Sequence, residues 1–499
     1  MDRKGKLAFN TAASLANQIV SIVCGFILPR AILSAYGSEI NGLLSSITQF
    51  LGFINLAECG VGAVVHTALY KPLAENDEDQ ISRIIISSEK FFRKIAYIML
   101  AYTAGLIVIY PMFAAENFDR IFTCSLIAII SFSSFIQYYF SISYSLLLEA
   151  DALSFIPLTT RAVTTIINTI LSIILIKQGA DIRIVKLASS IVFLIQPLFF
   201  HYCVRKHYHI NKKLVLTEEP IKQKWNGLAQ HIAAVVLANT DVAVLTIFST
   251  LQNVSIYSVY ILIVNGIKRI LLSLTSGIEP LFGNMYAKNE IEELNKDFSS
   301  FEWMLHTAAV LFFTCTAVLI VPFVSVYTKG VHDANYIVPL FGKILSAAIC
   351  FYCLRLPYNT MVLAAGHYKQ TQASAIIEAV INIVISVAFV VRYGLVGIAI
   401  GTLVAMGYRT IYLAYYLSRN ILNRDLHIFT KHIFVDIITA ALILICNLWV
   451  TNSNTYLSWA LQAVAVVSIS VLITFIINRI FYREYINSFI NIILKTKNH

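Results

Sequence analysis

Ten ionisable residues lie inside long apolar runs of this chain: the acids Glu58, Asp241, Glu279 and Glu378, and the bases Arg161, Lys268, Arg269, Lys343, Arg355 and Arg409. A charge at the centre of a membrane helix costs roughly 2.5–3.5 kcal/mol on insertion scales. Six bases facing lipid would therefore cost about 15–20 kcal/mol, more than a typical protein's net stability. Some of them must face protein or water. Arg409 and Glu279 are expected to reach the cytoplasmic helix ends and Lys343 the outer one, each with its charged tip in water. Arg161 is intermediate. Lys268, Arg269, Arg355, Asp241 and Glu58 lie deepest and are the candidates for function. A site richer in Lys and Arg than in Asp and Glu suits an anionic ligand. Arg offers a planar fork for phosphate oxygens and Lys a compact point charge.

Lys268 and Arg269 are adjacent, hence about 100° apart around a helix, and Asn265 precedes them by three and four residues on a shared surface. Asp241, Glu58 or Glu378 either neutralises one of the cations as an ion pair or holds a coupling ion, Na⁺ or H⁺. Uncharged polar stripes accompany the charges at helical spacing: Asn10, Ser14, Asn17 and Ser21; Asn55, Glu58, Gly62 and His66; Thr164, Asn168 and Ser172; Glu378, Asn382 and Ser386. Such stripes serve either as helix–helix glue or as a cavity lining.

The elements that position these residues are apolar helices. The 499 residues are 58% hydrophobic and only 13% charged, against about 25% charged in a soluble globular domain. The expected fold is an all-α polytopic membrane protein with about fourteen spans, near 8–29, 43–70, 91–113, 121–148, 157–177, 185–203, 228–249, 255–282, 302–327, 337–364, 372–391, 395–417, 432–451 and 457–479. The run 7–28 is too long for a signal-peptide core and lacks a small-x-small exit. If the N-terminus is cytoplasmic, 24 of the 37 Lys and Arg fall on cytoplasmic segments, seven on external loops and the rest inside helices. That bias predicts both termini in the cytoplasm of a bacterial inner-membrane protein. The net charge of +10 is spread over short loops instead of forming one patch, so nucleic acid is excluded as a partner. The eight cysteines show no metal-ligand spacing and read as small core residues, with no metal or bound cofactor expected. The segment Lys71–Lys94 reads either as an amphipathic surface helix, with Ile81, Ile84 and Ile85 opposite Arg83, Glu89, Lys90 and Arg93, or, the preferred reading, as an ordinary interfacial connector.

An internal repeat organises the spans. Sliding the first half of the chain onto the second places Asn168 on Asn382, Ser172 on Ser386 and Ile40 on Val254, and a slide one position longer places Lys177 on Arg392 and Gly179 on Gly394. Ala74-Glu75-Asn76 falls near Ala287-Lys288-Asn289. Six spans, a basic polar linker (Arg205–Lys224) and six more in the same orientation form a parallel repeat, a construction used by secondary transporters. The expected division is a first lobe, 1–216, a second lobe, 217–425, and an appended two-helix hairpin with tail, 426–499. The hairpin 228–283 is then the counterpart of 14–70, with Lys268 and Arg269 opposite Ile54 and Asn55. Architecture repeats while chemistry does not.

The stretches Gly25–Arg30, Tyr36–Gly42, Gln49–Gly52, Tyr70–Ala74, Asn239–Val242 and Val254–Tyr260 together resemble bacterial polysaccharide flippases of the multidrug/oligosaccharidyl-lipid/polysaccharide exporter superfamily. The resemblance implies two six-helix lobes around a cavity lined by spans 1, 2, 7 and 8. It also implies passage of undecaprenyl-diphosphate-linked oligosaccharide from inner to outer leaflet by alternating access, by a monomer among membrane lipids. A polymerase and glycosyltransferases of the same pathway are the implied partners. Related lipid II flippases carry an Arg-Asp pair on span 1; here Arg30 is followed by Ala31, so that role does not transfer. A drug or cation exporter of the same superfamily would favour an acidic, aromatic cavity. A membrane glycosyltransferase or polymerase would need a large extramembrane loop with catalytic carboxylates, and the chain offers neither.

Overall fold

The computed structural model describes residues 3–58, 60–114, 118–212, 214, 228–275 and 277–487, and among them every regular element is helical. Part of the basic linker Arg205–Lys224 and the tail beyond 487 lie outside the described residues. Two compact units, Met1–Ser255 and Ile256–His499, divide the chain. The division falls later than the basic linker because the helix after the linker packs along the first helix of the chain.

In the first unit the helices are α1 (Arg3–Gly52), α2 (Val61–Glu75), α3 (Glu78–Ile109), α4 (Pro111–Ala114), α5 (Arg120–Ile136), α6 (Ile142–Ala150), α7 (Phe155–Lys177), α8 (Ile182–Phe193), α9 (Ile195–His207) and α10 (Leu228–Phe248). A straight helix of the length of α1 would run about 75 Å, far beyond the roughly 30 Å of a bilayer core. Gly37, at φ 82°, interrupts the helical geometry of α1. Thirteen helical stretches among the described residues are long and apolar enough to cross a membrane, and the first, Ala8–Glu58, contains this break. It is long enough to supply two of the fourteen expected spans.

Lys71–Lys94 differs from the surface-helix reading. α3 begins at Glu78 behind an Asp77 cap whose carboxylate accepts from the Gln80 amide at 2.9 Å, and it continues unbroken into the third span. Ile81, Ile84 and Ile85 are core residues packed with Val61, Leu69, Leu147 and Phe200. Protein, not a lipid surface, covers the apolar face of this helix.

Polar contacts join α10 and its neighbours to α1. Ser46 Oγ meets Thr246 Oγ1 at 2.7 Å and accepts from the Tyr110 hydroxyl at 2.7 Å. His231 Nε2 lies 2.8 Å from the Asn55 carbonyl. Asn41 donates to Ser255 at 2.7 Å, a contact between two positions that the internal repeat makes equivalent. A Cβ at Gly42 would lie 1.9 Å from the Leu251 carbonyl oxygen, so only glycine permits this approach.

The second unit continues α11 (Leu251–Thr275) and adds α12 (Ile278–Ala287), α13 (Ile291–Tyr327), α14 (Pro339–Leu354), α15 (Leu356–Ala364), α16 (Tyr368–Tyr393), α17 (Leu395–Asn420), α18 (His427–Cys446) and α19 (Tyr456–Phe481). α16 and α17 pack most tightly. A Cβ at Gly401 would lie 2.3 Å from Ser386 Oγ, and one at Gly397 would lie 2.5 Å from the Phe389 backbone. Small residues bring the two backbones together, as membrane helices commonly require. The last two helices, α18 and α19, pack on α13 through Trp303, Val435 and Ile477, and through Cys315, Leu319 and Val466.

Special backbone geometry recurs between the two units. Asn76 and Asn289, Ala152 and Gly366, and Gly179 and Gly394 all have positive φ, and each pair matches the repeat spacing of Asn41 and Ser255 to within one position. The π-helical stretch Gln137–Ser141 falls in register with the helix break at Arg355, since Ser141 and Arg355 are separated by the same interval as Asn41 and Ser255. Turn positions and helix interruptions thus repeat where side-chain identity does not.

Candidate functional site

Within the second unit, four helices bring charges to one place. α14 ends at Leu354 and α15 begins at Leu356, leaving Arg355 at the break. Pro357 is the local cause: it lacks the N–H that would continue the ladder. The Arg355 amide still reaches the Phe351 carbonyl at 3.2 Å, and that oxygen also accepts from Thr410 Oγ1 at 2.8 Å. The break turns the guanidinium of Arg355 toward α16, where it donates to Glu378. Glu378 shares a buried stripe with Ser374, Asn382 and Ser386, all at four-residue spacing on one helix face. From α17, Arg409 brings Nε to 3.9 Å from the other Glu378 oxygen and donates to Ser374 Oγ at 2.5 Å and the Thr371 carbonyl at 3.1 Å.

One carboxylate is therefore shared by two guanidinium groups, and the trio carries one excess positive charge. Tyr352, just before Arg355, extends it. The Lys268 ammonium of α11 sits 3.5 Å from the Tyr352 ring centroid and the Arg355 guanidinium 4.3 Å from it. Two cations thus border one aromatic ring, each attracted by its quadrupole. Among the described residues no carboxylate pairs with Lys268. The result is a half-buried cationic patch of Lys268, Tyr352 and Arg355, backed by Glu378 and Arg409. Such a patch attracts an anion, and Arg and Lys together match phosphate oxygens.

The sequence-predicted residues divide accordingly. Lys268, Arg355 and Glu378 come together, Glu378 as an ion-pair partner. Arg269 is exposed on the adjoining face of α11 and Asn265 is half-buried one turn earlier. Arg161, Asp241 and Glu58 belong to the first unit. Arg161 is exposed on α7 and pairs with Glu149 at 3.4 Å and Ser145 at 3.0 Å. Asp241 is buried in α10 beside Asn239 and Thr240. Glu58 closes a tight 3₁₀ stretch, Phe53–Glu58, in which Asn55 accepts from the Tyr138 hydroxyl at 2.8 Å.

Arg409 corrects its expectation: it does not reach for water at a helix end but is 5% exposed and bound inside the protein. Sequence reasoning also passes over a second cluster, Glu302 and His306 on α13 with His432 and Asp436 on α18, joined by Tyr358 and Arg424. The signal available is two acid–His pairs, each at i, i+4 spacing.

Outside the membrane-spanning helices, Asp181 and Tyr208 are among the shifted ionisable groups. Hydrogen bonds from Arg183 hold the Asp181 carboxyl below its ordinary range, against the opposing effect of partial burial. Burial first, then its bond to Asp151, raises the Tyr208 phenol above the ordinary range.

No family model and no curated protein matches the chain. Solved structures do. The lipid II flippase MurJ in an inward closed conformation superposes with a TM-score of 0.71 at 15% identity, over 96% of this chain and 99% of that one. An inward-facing multidrug resistance MATE family transporter of the MOP superfamily gives 0.60 at 15% identity, over 83% and 98%. The chain shares the all-α, multi-pass fold of these two structures. The Vibrio cholerae MATE transporter VcmN, in its bent form, gives 0.55 at 13% identity over 84% and 98%. The chain is thus an all-α, multi-pass membrane protein, and the solved structures it is similar to are transporters and flippases.

Proposed function

We propose that the chain flips an undecaprenyl-diphosphate-linked oligosaccharide from the inner to the outer leaflet of the bacterial cytoplasmic membrane, for surface polysaccharide export. The observation that carries this reading is the cationic patch of Lys268, Tyr352 and Arg355 on a fold shared with a lipid II flippase. A diphosphate esterified at both ends carries about one negative charge on each phosphate, and a guanidinium and an ammonium bind its oxygens with complementary geometry. Tyr352 holds the ammonium and the guanidinium beside one ring, so both charges are presented together. Glu378 keeps Arg355 fixed, so its orientation is set before the ligand arrives. Alternating access by the two repeated lobes, 1–216 and 217–425, with 426–499 appended, would carry the head group across while the prenyl chain stays in lipid. Asp241, Glu58 or Glu378 would take the coupling Na⁺ or H⁺. Both termini would lie in the cytoplasm, in keeping with the positive-inside bias, and pathway glycosyltransferases and a polymerase would supply and consume the glycan. No enzymatic step is invoked.

A second reading, a multidrug or cation exporter, is favoured by a different observation: the similar MATE transporters, together with the neutralisation of Arg355 by Glu378. The two readings separate in cells. Lys268→Ala and Arg355→Ala should each abolish surface polysaccharide while the protein remains inserted, with drug susceptibility unchanged. Normal polysaccharide in both variants with altered drug susceptibility would support the exporter reading instead.

A further inference from the structure

The cluster between α13, α15 and α18 belongs to neither reading. Asp436 Oδ2 lies 2.6 Å from His306 Nδ1, His306 Nε2 lies 2.9 Å from the Tyr358 hydroxyl, and that hydroxyl lies 2.6 Å from Glu302 Oε1. Glu302 is ionised, because Arg424 donates to both of its oxygens at 2.7 and 2.6 Å. His306, Glu302 and Tyr358 are all at most 1% exposed, so water does not complete their hydrogen bonding.

Counting protons along this chain decides its state. Three contacts at hydrogen-bond distance need three bridging protons. Two ionised carboxylates supply none, the tyrosine supplies one, and a neutral imidazole supplies one. The third proton must come from outside the four groups. Its place follows from the order of donors: Tyr358 gives its proton to ionised Glu302, so His306 Nε2 must donate to Tyr358. A proton must then lie between Nδ1 and Asp436, either on the imidazole or on the carboxyl.

We propose that His306 and Asp436 form a proton-binding site that fastens the appended helix α18 to α13 and α15. When that proton leaves to water, one contact in the row loses its bridge, whichever tautomer His306 adopts. Either the bare Nδ1 faces the Asp436 carboxylate, or Nδ1–H turns the ring's lone pair to Tyr358 and leaves Tyr358 and Glu302 oxygen to oxygen. Both arrangements place two lone pairs at contact distance in a dry interior, which is strongly unfavourable.

Asp436 is the accessible member of the pair, its side chain 12% exposed against 1% for His306, and it edges a mostly apolar cavity of ≈ 220 Å³ in which Lys343 and Thr314 are the polar neighbours. The groups facing the pair are Glu302 from α13, Lys343 and Cys350 from α14, Tyr358 from α15, Arg424 from the α17–α18 connection, and His432 from α18, with Tyr482 after α19 bonded to His432 at 2.8 Å. Arg424 is already matched by Glu302, so it does not substitute for the missing proton.

The test uses the purified full chain and its Asp436→Asn and His306→Gln variants. Asparagine has the shape of a protonated aspartate and supplies the N–H that Nδ1 needs, so Asp436→Asn should fold as a permanently bridged form. On this proposal the folded wild type holds a bridging proton that the unfolded chain has no structure to hold. Its melting temperature should therefore fall as pH rises from about 6 to about 9, and Asp436→Asn should remove that pH-dependent fall. Direct titration with an indicator dye should find about one proton fewer released by Asp436→Asn, and by His306→Gln, than by wild type over the same range. The proposal is overturned if Asp436→Asn keeps the wild-type pH dependence, fails to fold, or releases the same number of protons. Equal release from the His306→Gln variant and wild type would also overturn it.

Discussion

Replacing Glu378 by Gln isolates the energetics of the cationic patch. The substitution keeps the shape while removing the one charge that Arg355 and Arg409 share, and it turns one of the two acceptor oxygens into a donor amide. Side-chain exposure is 12% for Arg355 and 6% each for Glu378 and Arg409, so solvent screening is weak. At 3.9 Å the Arg409–Glu378 attraction is about 4 kcal/mol at an effective dielectric of about 20, and the directly bonded Arg355 gains at least as much. Desolvation of three charges opposes this gain, so the net worth of the trio is far below the sum. Removing one partner is different, because it leaves two buried guanidinium groups opposite no anion, which typically costs about 3–5 kcal/mol. Glu378→Gln should therefore destabilise the protein by about that amount, read from unfolding in mixed detergent micelles. Adding Arg355→Met should recover part of the loss, since an uncharged pair no longer needs a counterion. A cost below about 1 kcal/mol, or no recovery in the double variant, would refute the claim that this carboxylate holds the patch together.

Three further outcomes follow from other parts of the fold. Gly401→Val places branched carbons where even a Cβ meets Ser386 Oγ at 2.3 Å; a loss of about 1–3 kcal/mol or failure to accumulate in the membrane is expected, and near-wild-type melting would contradict the α16–α17 packing. Trp303→Phe removes the indole donor to Asn478 Oδ1 at 2.6 Å, while Thr307 Oγ1 still donates to that oxygen at 3.2 Å; a loss of about 0.5–1.5 kcal/mol is expected, the net worth of one hydrogen bond, measured by the same unfolding assay. Asp181 is held below its ordinary range, so its stabilising contribution is present above that range and is lost as pH falls through its lowered value. Asp181→Asn should accordingly flatten the acid side of the stability profile, slightly, because the group is near the surface.

Fold class is legible in the sequence for a simple reason: a membrane span needs about 20 apolar residues, and few other arrangements of this composition exist. The repeat is legible at turns, where Asn76 and Asn289 or Gly179 and Gly394 occupy left-handed backbone that few residues tolerate. Side-chain partners are less visible. Depth singles out Lys268 and Arg355 together with Arg269, Asp241 and Glu58, and the polar stripe marks Glu378, but which of them meet depends on the break before Pro357, which rotates Arg355 toward α16. Tyr352 escapes notice because an aromatic residue in an apolar helix is ordinary until two cations are found beside its ring. Sequence position assigns Arg409 to the helix end, whereas close packing at Gly397 and Gly401 draws α17 against α16 and encloses it. The surface-helix reading of 71–94 fails because its apolar face, real in the sequence, has a protein partner in Val61, Leu147 and Phe200. Glu302 and His306 stand at the head of a span, where charges are common, and their partners on α18 lie far along the chain.

The central claim, that a cationic patch in the second unit binds the diphosphate of a lipid-linked sugar, is tested most directly by leaflet transfer in proteoliposomes. A fluorescent undecaprenyl-diphosphate oligosaccharide is placed in one leaflet and its appearance in the other is followed by an impermeant quencher. Wild-type protein should accelerate transfer, and Lys268→Ala and Arg355→Ala, reconstituted at equal density, should each lose most of that acceleration. Equal transfer by wild type and both variants would contradict the account.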